Sequence, residues 1–279
     1  MKARKPGRTG RTVAGAAASP GTATDPGTLR RASKASATTA ASPARWALPD
    51  LLRGVTLLAM IAYHFCFDLA TFGWIDADFG GDWRWIVFRT PILGSFLFIA
   101  GFSLALAAAA GVSSAQFAQR LARLAGAAAL VSAGSWLMFP QSFIWFGVLH
   151  GILVMSVLTR PLLRWGAWLI PLGIAIVVAG QTLHFAWFDH PAVRWIGLMT
   201  FKPRTEDYVP LFPWWGLLLA GAGTGCLVLA RPAWRAALGR IAGPAGTGWI
   251  GWLGRHSLAV YLIHQPVLIG ALMAVRALG

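Results

Sequence analysis

Asp50-Leu-Leu-Arg53-Gly-Val-Thr-Leu-Leu-Ala-Met-Ile-Ala-Tyr-His64-Phe-Cys-Phe-Asp68-Leu-Ala-Thr-Phe72 is an apolar stretch long enough to cross a bilayer, yet it carries one cation, one histidine and two carboxylates. Titratable groups are costly in hydrocarbon, so inside a membrane segment they point to function. Arg53 and His64 stand eleven residues apart, close to three helical turns, and so share a face. His64 and Asp68 are i,i+4 neighbours on that face and are expected to pair, the carboxylate fixing the imidazole tautomer as in general-base sites. A non-catalytic reading, in which the pair merely holds two helices together, stands beside this one.

The composition sets the context. Of 279 residues, 57% are hydrophobic and 12% charged, about half the charge of a soluble domain. This predicts an all-α, polytopic, integral membrane bundle. The net charge of +15 does not argue for nucleic acid as a partner, because nine Lys and Arg precede residue 50 and most others separate apolar runs. Residues 1–47 are rich in Ala, Ser, Thr, Pro and Arg and read as a disordered basic tail; residues 48–279 read as the membrane domain. No cleaved signal peptide is expected, since the first apolar stretch is a full span. Cys66 and Cys226 show no metal or redox spacing, and no metal is expected.

About seven stretches are apolar enough to span: 51–72, 85–109, 121–138, 143–159, 162–180, 211–230 and 249–273. Basic residues gather in alternate connections: the tail, Arg120 and Arg123, Arg160 and Arg164, then Arg231, Arg235 and Arg240. By the positive-inside rule this places the N-terminus in the cytoplasm and the C-terminus outside. The long outer connection, 181–210, holds Lys202 and Asp207. Arg53 then lies near the inner surface and His64 roughly 16 Å further out. Arg89, His150 and His264 fall on other spans in the outer half of the bilayer. Arg89 has a snorkelling alternative at the interface. His150 is read as a hydrogen-bonded core histidine or a site residue, and His264 as a satisfier of carbonyls freed at Pro266 or a site residue. The aromatic residues Trp187, Phe188 and Trp195 suit sugar stacking or an interfacial belt.

Several motifs carry a resemblance. The first-helix stretch from Asp50 to Asp68, Ser95-Phe-Leu-Phe-Ile-Ala-Gly101-Phe-Ser103-Leu, Phe143-Ile-Trp-Phe-Gly147-Val-Leu-His150, Tyr208-Val-Pro-Leu-Phe-Pro-Trp214 and Leu253-Gly-Arg-His256-Ser-Leu-Ala-Val-Tyr261-Leu-Ile-His264-Gln-Pro266 together cover most of residues 46–275. They resemble the bacterial DUF1624 proteins, grouped with the heparan-alpha-glucosaminide N-acetyltransferase catalytic domain. The Arg53-to-His64 spacing is also similar to the first helix of the wider acyltransferase-3 superfamily. The resemblance implies a multi-pass acetyltransferase of the bacterial inner membrane, moving acetyl from cytoplasmic acetyl-CoA to a sugar amine or hydroxyl.

On that resemblance, His64 with Asp68 is the catalytic pair and Arg53 belongs to the donor side. Arg89, His150, His264 and Asp207 are expected to bind substrate or donor. Membrane lipids and a small-molecule or glycan acceptor are the expected partners, and a homo-oligomer is compatible with the chain. One departure stands out: the lysosomal member uses a histidine in the loop after its matching helix, and the loop Gly73–Arg84 contains none. The residues alone also allow a proton-coupled transporter or flippase, which would use the same His/Asp stripe as a relay, or a membrane scaffold.

Overall fold

The architecture, seen in a computed structural model that describes residues 46–241 and 248–278, is built from helices. Among the described residues the one extended pairing is an isolated bridge between Phe146 and Tyr208. The predicted tail lies outside the described residues up to residue 45.

Helix α1 spans Ala47–Thr71, 25 residues, or about 37 Å at the helical rise. Pro49 sits in its first turn, where a missing N–H costs nothing. Its C-terminus closes on Gly73, whose φ of +76° supplies the left-handed residue that ends the helix. Helix α2 (Trp83–Ala109) is started by Asp82, whose carboxylate accepts from the Arg84 N–H at 2.9 Å. Helix α3 (Ser114–Met138) opens with a capping box between Ser113 and Gln116.

The next apolar stretch, Val148–Thr182, is long enough for one crossing but is folded in two. Helix α4 (Val148–Leu162) and helix α5 (Leu169–Thr182) are joined by a 3-10 turn whose Gly166 has φ +57° and ψ −128°. Contacts to helix α6 (Leu211–Ala230) show the reversal. Going down α4, Gly151 meets Val209, Thr159 accepts from the Trp215 indole, and Leu163 lies beside Cys226, so the two helices run together. Along α5 the order inverts, with Leu169 and Ile170 at Gly223, Gly173 at Gly216 and Gly180 at Pro213. Six helical stretches are therefore long and apolar enough to cross a membrane, and the fourth is a hairpin whose limbs match the expected fourth and fifth spans. Each limb is shorter than a full crossing because Gly166 breaks the run near its centre. The fourth expected span also begins later than predicted, because residues 143–147 pair with the outer connection instead of coiling.

A short helix α7 (Pro232–Arg240) lies exposed after α6. The expected last span is two pieces, α8 (Gly248–Arg255) and α9 (Ser257–Leu278), broken at His256. Both keep one register along α1. A Cβ on Gly54 would strike the Ile250 carbonyl, and one on Gly254 the Asp50 carbonyl. Each glycine faces a carbonyl one turn nearer the other helix's N-terminus, the signature of parallel helices whose Cα–Cβ bonds tilt that way. Further along, His64 faces His264.

Small residues also set the packing of α2 on α6. A Cβ on Gly221 would lie 2.0 Å from the Phe98 carbonyl oxygen, and one on Gly101 1.9 Å from that of Leu218. Lipid supplies no hydrophobic drive for helix pairing, so this backbone proximity carries the association. Gly221→Val is expected to destabilise the purified protein by about 1–3 kcal/mol through overpacking. Gly126→Ala, where a methyl meets open space in mid-helix, is expected to leave it unchanged or up to about 1 kcal/mol more stable. Thermal unfolding in detergent compares the two.

Candidate functional site

The polar face of α1 has two ends. At the inner end, Arg53 Nη1 donates to Asp50 Oδ1 at 3.0 Å, and Nη2 donates to the Ser103 hydroxyl of α2. Asp50 is buried and Arg53 is half-buried. The guanidinium is thus held at a fixed depth by groups from two helices.

Eleven residues further along, His64 and Asp68 meet α9. The His64 and His264 rings lie 5.1 Å apart at 58°. The sequence reading expected Asp68 to orient His64, and the structure corrects it. Asp68 Oδ1 accepts instead from Gln265 Nε2 at 2.7 Å, and His64 Nδ1 has no partner. The neighbouring helix offers a better-placed donor than the next turn of α1. His264 Nδ1 is engaged by the Tyr261 carbonyl at 2.7 Å. Four buried polar atoms of this group remain unpartnered: His64 Nδ1, Asp68 Oδ2, His264 Nε2 and Gln265 Oε1. An unpaired buried polar atom costs about 1–3 kcal/mol, so four together mark this group as a candidate site for polar contacts from outside the chain.

Aromatic rings pack beside this centre, toward the C-terminal end of α1. Tyr63 packs edge-on to Phe79 at 5.5 Å and Trp85 at 6.2 Å, and Phe79 stacks on Trp85 at 4.0 Å. The histidine-free loop Gly73–Arg84 thus contributes Phe79, buried over the end of α1, where it also meets Phe67. Arg89 lies within electrostatic reach of Tyr63, Asp207 and Lys202. Asp207 Oδ2 accepts from the Val148 N–H at 2.8 Å and caps α4 from 59 residues away. Desolvation pushes the Asp207 carboxyl above its ordinary range, against the pull of that N–H and of Arg89. Desolvation likewise lowers Lys202, and Arg89 adds to the effect.

His150 stands apart. Its Nδ1 accepts from the Gly147 N–H at 3.3 Å and its Nε2 lies 3.3 Å from the Ser132 hydroxyl, so it joins α3 to the start of α4. No contact brings it to His64 or His264 among the described residues. Among those residues no group of three or more His, Cys, Asp or Glu side chains is placed to hold a metal ion. Nearby, Trp145, Phe146, Val154, Pro191 and Trp195 line a cavity of about 390 Å³.

Sequence reasoning missed Gln265, Tyr63, Tyr261 and Lys202 as members of this region. Gln265 lies in the closing motif, and an amide beside a histidine in an apolar helix is itself a costly residue. Tyr63 immediately precedes His64 and carried the same signal.

The family described as heparan-alpha-glucosaminide N-acetyltransferase, catalytic, matches residues 45–266. The chain belongs to this family. The match takes in both ends of α1, the closing turn through Gln265 and the hairpin between them. Neither the curated proteins nor the solved structures include one that matches this chain. A multi-pass membrane protein of an acetyltransferase family thus carries a buried, half-satisfied polar centre between its first and last membrane helices.

The Asp68–Gln265 bond makes a stability prediction. Gln265→Leu leaves both Asp68 oxygens unpaired and is expected to cost about 1–3 kcal/mol. Asp68→Leu combined with Gln265→Leu removes both partners and is expected to recover most of that loss. Thermal unfolding of the two single variants and the double variant measures the coupling.

Proposed function

We propose that this protein is a membrane acetyltransferase that takes acetyl from acetyl-CoA at the inner end of α1. It passes the group to an amine or hydroxyl of a glycan acceptor at the His64–His264 centre. Membership of the acetyltransferase family over residues 45–266 is the observation that carries this reading. The cluster of unpaired polar atoms supports the place.

In the proposed step the acceptor nitrogen or oxygen attacks the thioester carbonyl. The new bond joins that atom to the acetyl carbon, and the C–S bond of the donor breaks. His64 accepts the acceptor's proton and returns it to the departing thiolate, so CoA leaves as the thiol. His264 Nε2 and Gln265 Oε1 are free to accept from the donor groups of the incoming acceptor, while Asp68, steadied by Gln265, contributes negative charge opposite a protonated imidazole. Arg53, held by Asp50 and Ser103, serves the donor side. Asp207 and Arg89 shape the outer mouth. His150 is reassigned from binding to the α3–α4 joint.

The test is transfer of radiolabelled acetyl from acetyl-CoA by protein in liposomes. His64→Ala is expected to lower turnover by roughly 10²-fold or more, the usual loss of a general base. His150→Ala is expected to retain turnover in proportion to folded protein. Undiminished transfer by His64→Ala overturns the assignment of the base. Acetyl-independent, proton-driven solute movement by the wild type favours a carrier instead.

A further inference from the structure

A second cavity, of about 440 Å³, lies on the opposite side of the membrane domain and is lined by Trp46, Pro232, Arg235 and Ala236. Its size falls within the range of small-molecule sites. It sits at the start of α1, one turn before Asp50. The Trp46 ring lies 6.5 Å from Phe102, whose neighbour Ser103 accepts from Arg53. The cavity is therefore adjacent to the inner cation already assigned to the donor side.

Its lining is specific in kind. Trp46 is half-buried and offers a flat aromatic face. Arg235 is exposed and has no carboxylate partner among the described residues. Arg231, one turn earlier, is stacked over Trp234 at 5.3 Å, and Arg235 is the cation among the residues that line the cleft. Pro232 and Ala236 are small and form a low wall. A planar ring beside a guanidinium matches a ligand with both a π face and a phosphate. A lipid headgroup supplies the phosphate but not the ring.

We propose that the cleft between Trp46 and helix α7 receives the nucleotide end of the acyl donor, with Trp46 stacking on the purine and Arg235 pairing with a phosphate. This rests on the acetyl-CoA reading above and adds to it a place for the half of the donor that does not react. Arg53 then lies between the nucleotide and the reacting end. Neither Trp46 nor Arg235 touches the reacting atoms; both act on donor affinity.

The experiment compares two donors with the full chain in detergent. Acetyl-CoA carries the nucleotide and S-acetylpantetheine lacks it. Trp46→Ala and Arg235→Gln are each expected to weaken CoA binding and raise KM for acetyl-CoA by about tenfold. KM for S-acetylpantetheine is expected to stay at the wild-type value, and Trp46→Phe to retain most CoA affinity. Adenosine 3′,5′-bisphosphate is expected to compete with CoA on the wild type and poorly on the variants. Variants that bind CoA as well as the wild type overturn the proposal. So does an equal rise in KM for both donors, or loss of a co-purified anionic phospholipid with CoA binding unchanged. A wild type that neither binds CoA nor transfers acetyl overturns the acetyltransferase reading and this proposal with it, and is distinguished by its occurrence before any substitution.

Discussion

The polar centre depends on how closely α1 approaches α8. Gly54 and Gly254 let two backbones meet where any side chain would collide with a main-chain carbonyl. That contact fixes the register of the last helix against the first. Three turns beyond it, the register sets His264 opposite His64 and carries Gln265 to Asp68. A shift of one residue would turn the imidazoles away by about 100°. Two glycines near the start of α1 and the end of α8 thus determine which polar residues meet three turns further on, and the α2–α6 crossing through Gly101 and Gly221 stiffens the frame around them.

The buried polar residues fall into two kinds, and hydrogen bonding separates them. His150 is satisfied at both ring nitrogens, and Asp207 is committed to the N-terminus of α4. Such residues hold elements together. His64, Asp68, His264 and Gln265 each keep a buried atom unpartnered. In hydrocarbon no bulk water is at hand to complete such atoms, so their persistence on two facing helices is costly. A structural network would be closed; this one leaves one polar atom of each of four residues unpartnered.

Much of this was legible in the sequence. Hydropathy marked the crossings, and the stripe Arg53, His64, Asp68 marked the face that turns inward. The hairpin limbs were legible too, although Gly166 was not singled out as their divide. What remained hidden was tertiary. An i,i+4 spacing says that His64 and Asp68 are neighbours on one helix, not that either is the other's partner. Gln265 won Asp68 because the glycine crossing brought it there, and no local pattern encodes that crossing. His256 interrupts the last helix within the polar run Arg255-His256-Ser257, which the hydropathy of the flanking residues hides in a single expected span. Asp207 gave no sign that it would cap a helix 59 residues earlier.

The span of α1 between its two polar ends bears on the proposed chemistry. Leu57 is fully buried and Met60 nearly so, on the stretch that separates Arg53 from His64. Charged groups cross such a stretch at a much higher cost than an uncharged, flexible arm. Acetyl-CoA has this division built in: phosphates and purine at one end, a neutral thioester at the other, and an amide-bearing chain between. In the proposed reading the charged end stays with Arg235 and Arg53, and only the neutral end enters. In that reading the packing of Leu57 and Met60 keeps water from the thioester and limits hydrolysis. A proton relay needs the reverse, a continuous polar path between the same two ends, and the packing of Leu57 and Met60 argues against one along α1.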